Sequence, residues 1–296
     1  MFSLLARSMV PRVVYITSRG HSGSTLLSLL LSGHSAVVSA GELKMLVNPD
    51  PQRRLCSCHR LEPGRCPFWS DVQRRVMVST GLPLDQLVLG EDGSEVDFRE
   101  HNQALFEAIA AVSGASVIVD SSKSLPRLAR LLDAQVQGGV FQIHPVHLHR
   151  GPLGTINSAR KRGDVLRQAT YNYNRLFFLT RDLLDGVDAP LLFYERLAAN
   201  PRQFMRHLMA WLKLPLEEQQ FHWRDGIRRD IHGNEMRFGS SDKIRLDRSW
   251  IRQMSFRDIL RVSAWTLPVR FRSKDLFDRM WRWIKLDKGP PIRLSR

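Results

Sequence analysis

Cysteine is scarce in this sequence: three residues, all between Cys56 and Cys66. An odd, clustered count excludes a disulfide framework as the source of stability and fits a reducing compartment. Long apolar runs are missing too. The opening MFSLLARSMVPR is interrupted at Arg7, too early for a signal peptide, and nothing approaches the ~18 apolar residues of a membrane span. The expectation is a cytoplasmic globular protein, and 43% hydrophobic residues suffice for its core. Acidic residues are the minority, 29 against 44 Lys and Arg, for a net charge of +15. That surplus attracts anions: a phosphorylated cofactor, an acidic acceptor, nucleic acid or a membrane face. There is no internal repeat, HExxH, acidic metal-holding pair, zinc-finger, RNP or helix-turn-helix pattern. Nucleic-acid binding therefore has only the charge in its favour, and no nucleic-acid partner is expected.

What is present is a series of apolar strands each followed by a polar loop and a helix. VVYIT (13 to 17) leads through SRGHSGST into LLSLLLSG. SVIVD (116 to 120) leads through SSKS into LPRLARLLDAQ, with Ser124 as cap and Pro126 in the first turn. HPVHLHR precedes GPLGTINSARKRG, and PLLFY precedes a helical stretch containing FMRHLMAWLKL. This alternation predicts an α/β fold, a mainly parallel sheet covered by helices on both faces, like that of P-loop proteins. Ligands of such sheets bind beyond the carboxyl ends of the strands. Ser18 to Thr25, Asp120 to Lys123, Arg150 and Tyr194 all fall there, which predicts one shared cleft. The whole chain, 1 to 296, is read as a single domain with an insertion or lid at about 43 to 100 and a basic, aromatic tail at about 256 to 296.

GHSGST (20 to 25), at a strand-to-helix turn, points backbone N–H groups and hydroxyls at a phosphate, aided by the positive end of the helix. A nucleotide triphosphatase loop would read GxxxxGK[ST]. Here Ser24 stands after Gly23, so the phosphate-reaching lysine is absent. A kinase or NTPase remains the alternative enzyme class.

TSRGHSGSTLL resembles the 5′-phosphosulfate loop of the sulfotransferase family, which commonly reads PRSGTTLL or PKSGTTW. The family's loop cation is His21 here, with Arg19 near enough in sequence to substitute. The resemblance continues in order along residues 13 to 250. Arg150 and Ser158, eight apart, match the pair that holds the cofactor's 3′-phosphate. FYERLAANP is similar to the YEDL segment, so Tyr194 would border the adenine. GNEMRFGSSDKIRLDRSW resembles a late GNxxR segment, which gives Arg237 to the 3′-phosphate and Trp250 to the nucleotide's surroundings. Tyr194 and Trp250 read equally well as core residues.

The resemblance implies in-line, metal-independent transfer of a sulfonate from 3′-phosphoadenosine 5′-phosphosulfate (PAPS) to a hydroxyl or amine of a carbohydrate, lipid headgroup, peptide or small metabolite. Binding residues would be Arg19, Gly20, His21, Ser22, Gly23, Ser24, Thr25, Arg150, Ser158, Tyr194, Arg237 and Trp250. His21 or Lys123 would neutralise charge on the departing oxygen. Glu42, at the place of the family's GE glutamate, would be the base, against its alternative as a helix-start carboxylate. His34, His144, His147 and His149 are weaker base candidates, since strand histidines are more often packed than catalytic.

Cys56, Cys58, His59 and Cys66 are enough soft ligands for one tetrahedral zinc, yet C-x-C-H-x6-C lacks paired CxxC spacing. They are read as buried or redox-active thiols, and no metal is expected. In the tail, Phe271, Phe277, Trp281 and Ile284 share part of a helical face. That face suits a docking helix, with peripheral membrane contact as the alternative.

Overall fold

A computed structural model describes residues 10 to 271, apart from 59, 227 and 240 to 242. The order of elements is β1 (Arg12–Ser18), α1 (Ser24–Ser32), β2 (Val37–Gly41), α2 (Pro67–Thr80), α3 (Glu95–Ser113), β3 (Val117–Asp120), α4 (Leu125–Val136), β4 (Gln142–His149), α5 (Pro152–Arg160), α6 (Leu166–Leu183), β5 (Leu191–Phe193), α7 (Tyr194–Ala199), α8 (Pro201–Trp211), α9 (Trp250–Gln253) and α10 (Phe256–Trp265). These residues fall into two compact units, one of residues up to Gly151 with Asp182–Leu246, the other of Pro152–Arg181 with the residues from Asp247.

The first unit is built on five strands in the order β2-β3-β1-β4-β5, every pairing parallel. The expected α/β architecture is thus observed. Parallel strands buried on both faces need apolar residues at successive positions, which VVYIT and VIVD supply. Alternate side chains then go to opposite cores. Val13, Tyr15, Val38 and Ile118 pack with α2, α3 and α4, whereas Val14, Ile16, Val117 and Val119 pack with α1 and α8. Six residues of α1 from Leu26 to Leu31 are buried, as expected of a helix apolar on nearly every side.

Local signals set the helix ends. Ser124 caps α4 by accepting from Arg127 N, Asn200 caps α8 before Pro201, and Ser94 caps α3, which Gly114 ends in the left-handed conformation. Residues 43 to 100 contribute Trp69, Val72 and Val76 of α2 and Phe98 of α3 to the core on one face of the sheet. The strand VVSAG, at the edge of the sheet, has no counterpart in the sequence expectations. Its polar Ser39 and small Ala40 and Gly41 break the apolar pattern.

The second unit has its own core of Ile156, Ala159, Ala169, Tyr173, Phe177, Met254 and Val262. The Arg160–Asp258 ion pair at 2.9 Å and the bond from Asn157 to Gln253 at 2.8 Å join its helices. Val262 of α10 is buried, Phe271 is exposed, and Phe277, Trp281 and Ile284 lie outside the described residues. No helix among the described residues is long and apolar enough to cross a membrane.

Candidate functional site

The carboxyl ends of all five strands carry the polar groups singled out in the sequence. Across the sheet the spatial order is Glu42 after β2, Lys123 after β3, the loop from Ser18 after β1, Arg150 after β4 and Tyr194 after β5. The chain leaves β1 toward β2 but continues from β4 toward β5, so the loop and Arg150 flank the switch point where such sheets open a crevice.

The loop turns through two left-handed residues, His21 at φ 65° and Gly23 at φ 91°. Gly23 caps α1 without any side-chain hydrogen bond, and no acidic residue lies in the first turn. The amides of the first turn therefore have no intrahelical acceptor, and they gather the positive end of the helix at one spot. Ser22 and Ser24 are buried within this turn, Arg19 and Thr25 are half-buried, and Gly20 and His21 are exposed. Glycine is required at 23 for two reasons. Its φ is left-handed, and a Cβ there would approach Tyr194 Cδ2 to 2.5 Å.

Arg150 is buried and donates from Nη1 to the His21 carbonyl at 2.7 Å, while its guanidinium stands 4.7 Å from the Tyr194 ring centroid. Loop, arginine and tyrosine form one packed set. The Tyr194 hydroxyl donates to the Arg245 carbonyl at 3.4 Å, and Gly151 N donates to Glu195 at 2.8 Å.

On the other side of the loop, Lys123 Nζ donates to Glu42 Oε1. Glu42 is buried and precedes a short 3-10 helix, Leu43–Val47, directly after the edge strand. The register of β2 on β3 shifts between Ser39 and Gly41. Such an irregularity re-aims the next side chain. Lys123 is left-handed at φ 62°. Its loop is fixed by Asp120, which accepts from Ser122 N at 2.9 Å and from Arg127 through Nε at 3.1 Å and Nη2 at 2.9 Å. The Asp120 and Arg127 side chains are both 0% exposed, so each is the other's obligatory partner. Nothing in LPRLARLL distinguishes Arg127 from a solvated helix residue, and only burial shows its role.

A segment from Asp230 to Arg237 closes this end of the site. Ile231 O accepts from Glu42 N at 2.8 Å, and Asn234 N donates to Thr25 Oγ1 at 3.2 Å. Backbone at Ile231 lies so near Gly41 that any Cβ there would come within 2.4 Å of it. Asp230 accepts from Ser39, and burial raises its carboxyl above the usual aspartate range despite that bond and nearby Arg237. His232, also left-handed at φ 57°, is held below the ordinary histidine value by burial, with Arg237 and Lys123 acting in the same sense against Glu42. His232 is a site residue for which the sequence expectations held no role. A histidine before Gly233-Asn234, where a left-handed turn is due, was its available signal.

Arg237 is buried, and its Nη1 donates to the carbonyls of Leu55 at 2.8 Å and Asp230 at 3.0 Å. The geometry thus gives it a framework duty joining two loops. Ser158 and Trp250 belong to the second unit. There Ser158 O accepts from Arg162 at 3.0 Å, and Trp250 packs against the core. His34 is bonded to Pro215 O and Ala36 N. His149 packs edge-on to His147 and Phe193, and burial lowers it to about 4.

Three thiols converge near Arg237. Cys58 Sγ lies 2.9 Å and Cys56 Sγ 3.7 Å from Cys66 Sγ. Sulfur hydrogen bonding, chiefly from Cys56, lowers the Cys66 thiol to about 5, and Cys56 is raised as its partner. His59 lies outside the described residues.

No family model and no curated relative matches this chain. Among solved structures, it is similar to the sulfotransferase domain of the Synechococcus PCC 7002 olefin synthase, with a TM-score of 0.55 at 22% identity over 86% of this chain and 94% of that one. It is also similar to the sulfotransferase domain from the curacin biosynthetic pathway, with a TM-score of 0.51 at 19% identity over 86% and 96%. The fold is that of the sulfotransferase domains.

Proposed function

We propose that the chain is a sulfotransferase that moves a sulfonate from PAPS to a hydroxyl or amine acceptor. The observation that carries this is the row of groups across the strand ends. A carboxylate–ammonium pair, an amide-rich helix start and a buried arginine follow one another over adjacent strands. Strands stand about 4.8 Å apart, so Glu42 and Arg150, three steps from each other, bracket roughly 14 Å. That span suits a donor with a sulfonate at one end and a 3′-phosphate toward the other.

PAPS supplies the sulfonate and a bisphosphate leaving group when bound. The first-turn amides of α1 with Ser24 and Thr25 would bind the 5′-phosphate, and Lys123 would neutralise charge arising on its bridging oxygen. Arg150 would hold the 3′-phosphate with a charge-assisted bond. Glu42 would receive the acceptor's proton as the acceptor oxygen or nitrogen attacks sulfur in line and the sulfur–oxygen bond to phosphate breaks. Because sulfonate transfer has a loose transition state, orientation and fixed charge do most of the work.

Thermal unfolding with adenosine 3′,5′-bisphosphate beside ATP with magnesium tests the donor class. Stabilisation by the bisphosphate alone supports sulfonate transfer. Stabilisation by ATP with magnesium alone favours the P-loop kinase reading and removes this one.

A further inference from the structure

We propose that Cys56, Cys58 and Cys66 bind one zinc ion, which ties the loop around residues 55 to 66 to the segment closing the functional site. The three sulfurs lie within 4.8 Å of one another. At a zinc–sulfur distance of about 2.3 Å, tetrahedral geometry puts sulfurs roughly 3.8 Å apart. Cys56 and Cys66, at 3.7 Å, already have that spacing. Cys58 and Cys66, at 2.9 Å, need open by less than about 1 Å to share a metal. A disulfide would use only two of three converging thiols. Cys58 is the half-buried member, so adjustment and a fourth donor, water or another group, come from its side.

Each outer sulfur is held by a different local device, which preorganises the set. Cys56 donates its N–H to Leu61 O at 2.7 Å and is bridged antiparallel to Ile231. Cys66 is the N-cap of α2, where the positive end of a helix favours a thiolate. Cys58 N donates to Cys56 Sγ at 3.4 Å, folding the dipeptide step back on itself. Charge points the same way. Three thiolates on Zn²⁺ leave one net negative charge, and the buried Arg237 nearby has an Nε without a hydrogen-bond partner among the described residues. Zinc binding forms three Zn–S bonds and releases the thiol protons to solvent, with no change of oxidation state.

The consequence reaches the site through the backbone. Ser57 N donates to Asp230 O at 2.9 Å, Ile231 receives Glu42 N, and Asn234 reaches Thr25. Zinc at the cysteines would therefore hold in place the segment that supports both Glu42 and the loop.

The test uses the full chain, purified without a metal-affinity step, reduced, supplied with zinc and then dialysed. Elemental analysis, thiol titration after denaturation and absorption after cobalt(II) exchange are measured together. One zinc per chain, three titratable thiols and the sulfur-to-cobalt charge-transfer band with strong tetrahedral visible bands are expected. C58S and C66S should each lose the metal. Wild-type protein that keeps three free thiols yet retains no zinc overturns the proposal, as does a single free thiol before reduction, which means that two of the three are joined in a disulfide. Should a variant fail to fold, the wild-type cobalt spectrum decides alone, and octahedral, sulfur-free absorption counts against the site.

Discussion

Lys123 Nζ donates to Glu42 Oε1 across the ends of neighbouring strands, and a backbone irregularity sets each partner. Lys123 is itself left-handed in a turn pinned by Asp120 and Ser122, and Glu42 follows the register shift of β2 on β3. Non-glycine residues persist in such conformations only where surrounding structure over-determines them. Of the five positive-φ non-glycine residues among those described, His21, Lys123 and His232 lie around this one site.

Glu42→Gln keeps the shape and removes the base. Turnover should fall by roughly 10² to 10⁴, with bisphosphate affinity nearly unchanged. Turnover near wild type in a folded protein would return Glu42 to the role of a structural partner for Lys123.

Lys123→Met keeps the apolar stem and removes the charge. If the ammonium stabilises the leaving group, turnover should drop by about 10² to 10³ with a smaller change in donor affinity. Calorimetric binding and single-turnover rates on the same variant separate the two quantities. A loss confined to affinity contradicts the assignment.

Arg150→Ala should weaken bisphosphate binding by about 2 kcal/mol, near thirtyfold, and slow saturated turnover much less. Comparison of adenosine 3′,5′-bisphosphate with adenosine 5′-monophosphate makes the contact specific. The variant should lose the preference for the 3′-phosphate, and an unchanged preference rules the contact out.

Gly23→Ala places a Cβ against the Tyr194 ring at a left-handed φ, which costs about 1–2 kcal/mol before the overlap is counted. Melting temperature and donor affinity should both fall. Tyr194→Leu in the same chain should recover part of the melting temperature, and its failure to do so would place the strain elsewhere.

His149 is folded with a value of about 4 because of burial, against about 6.5 unfolded. The unfolded chain thus binds the extra proton between these values, so stability present above about pH 6.5 is lost as pH falls toward 4, by on the order of 3 kcal/mol in total. His149→Phe should flatten the urea midpoint between pH 7 and 4.5 relative to wild type. An equally steep decline would assign the acid sensitivity to other groups.

Much of this was open to inspection in the chain itself. VVYIT, SVIVD, HPVHLHR and PLLFY announce buried parallel strands because both faces demand apolar side chains, and Ser124 with Pro126 and Asn200 with Pro201 mark helix starts by filling orphan amides. The positions of Ser18 to Thr25, Lys123, Arg150 and Tyr194 at strand ends follow from that alternation alone. The edge strand at Val37–Gly41 escaped because small and polar residues there carry no periodic signal.

What tertiary structure alone decided is which polar residues face one another. The Asp120–Arg127 pair is local in sequence yet shown only by burial, while the joining of Arg237 to the Leu55 carbonyl, the bond from Asn234 to Thr25 and the pairing of Lys123 with Glu42 link distant positions. Periodicity is a local property, fixed by the geometry of one strand or helix. Pairing of charges and hydrogen-bonding groups is settled by desolvation, because a buried ion is tolerable only beside the partner that the strand order of the sheet delivers.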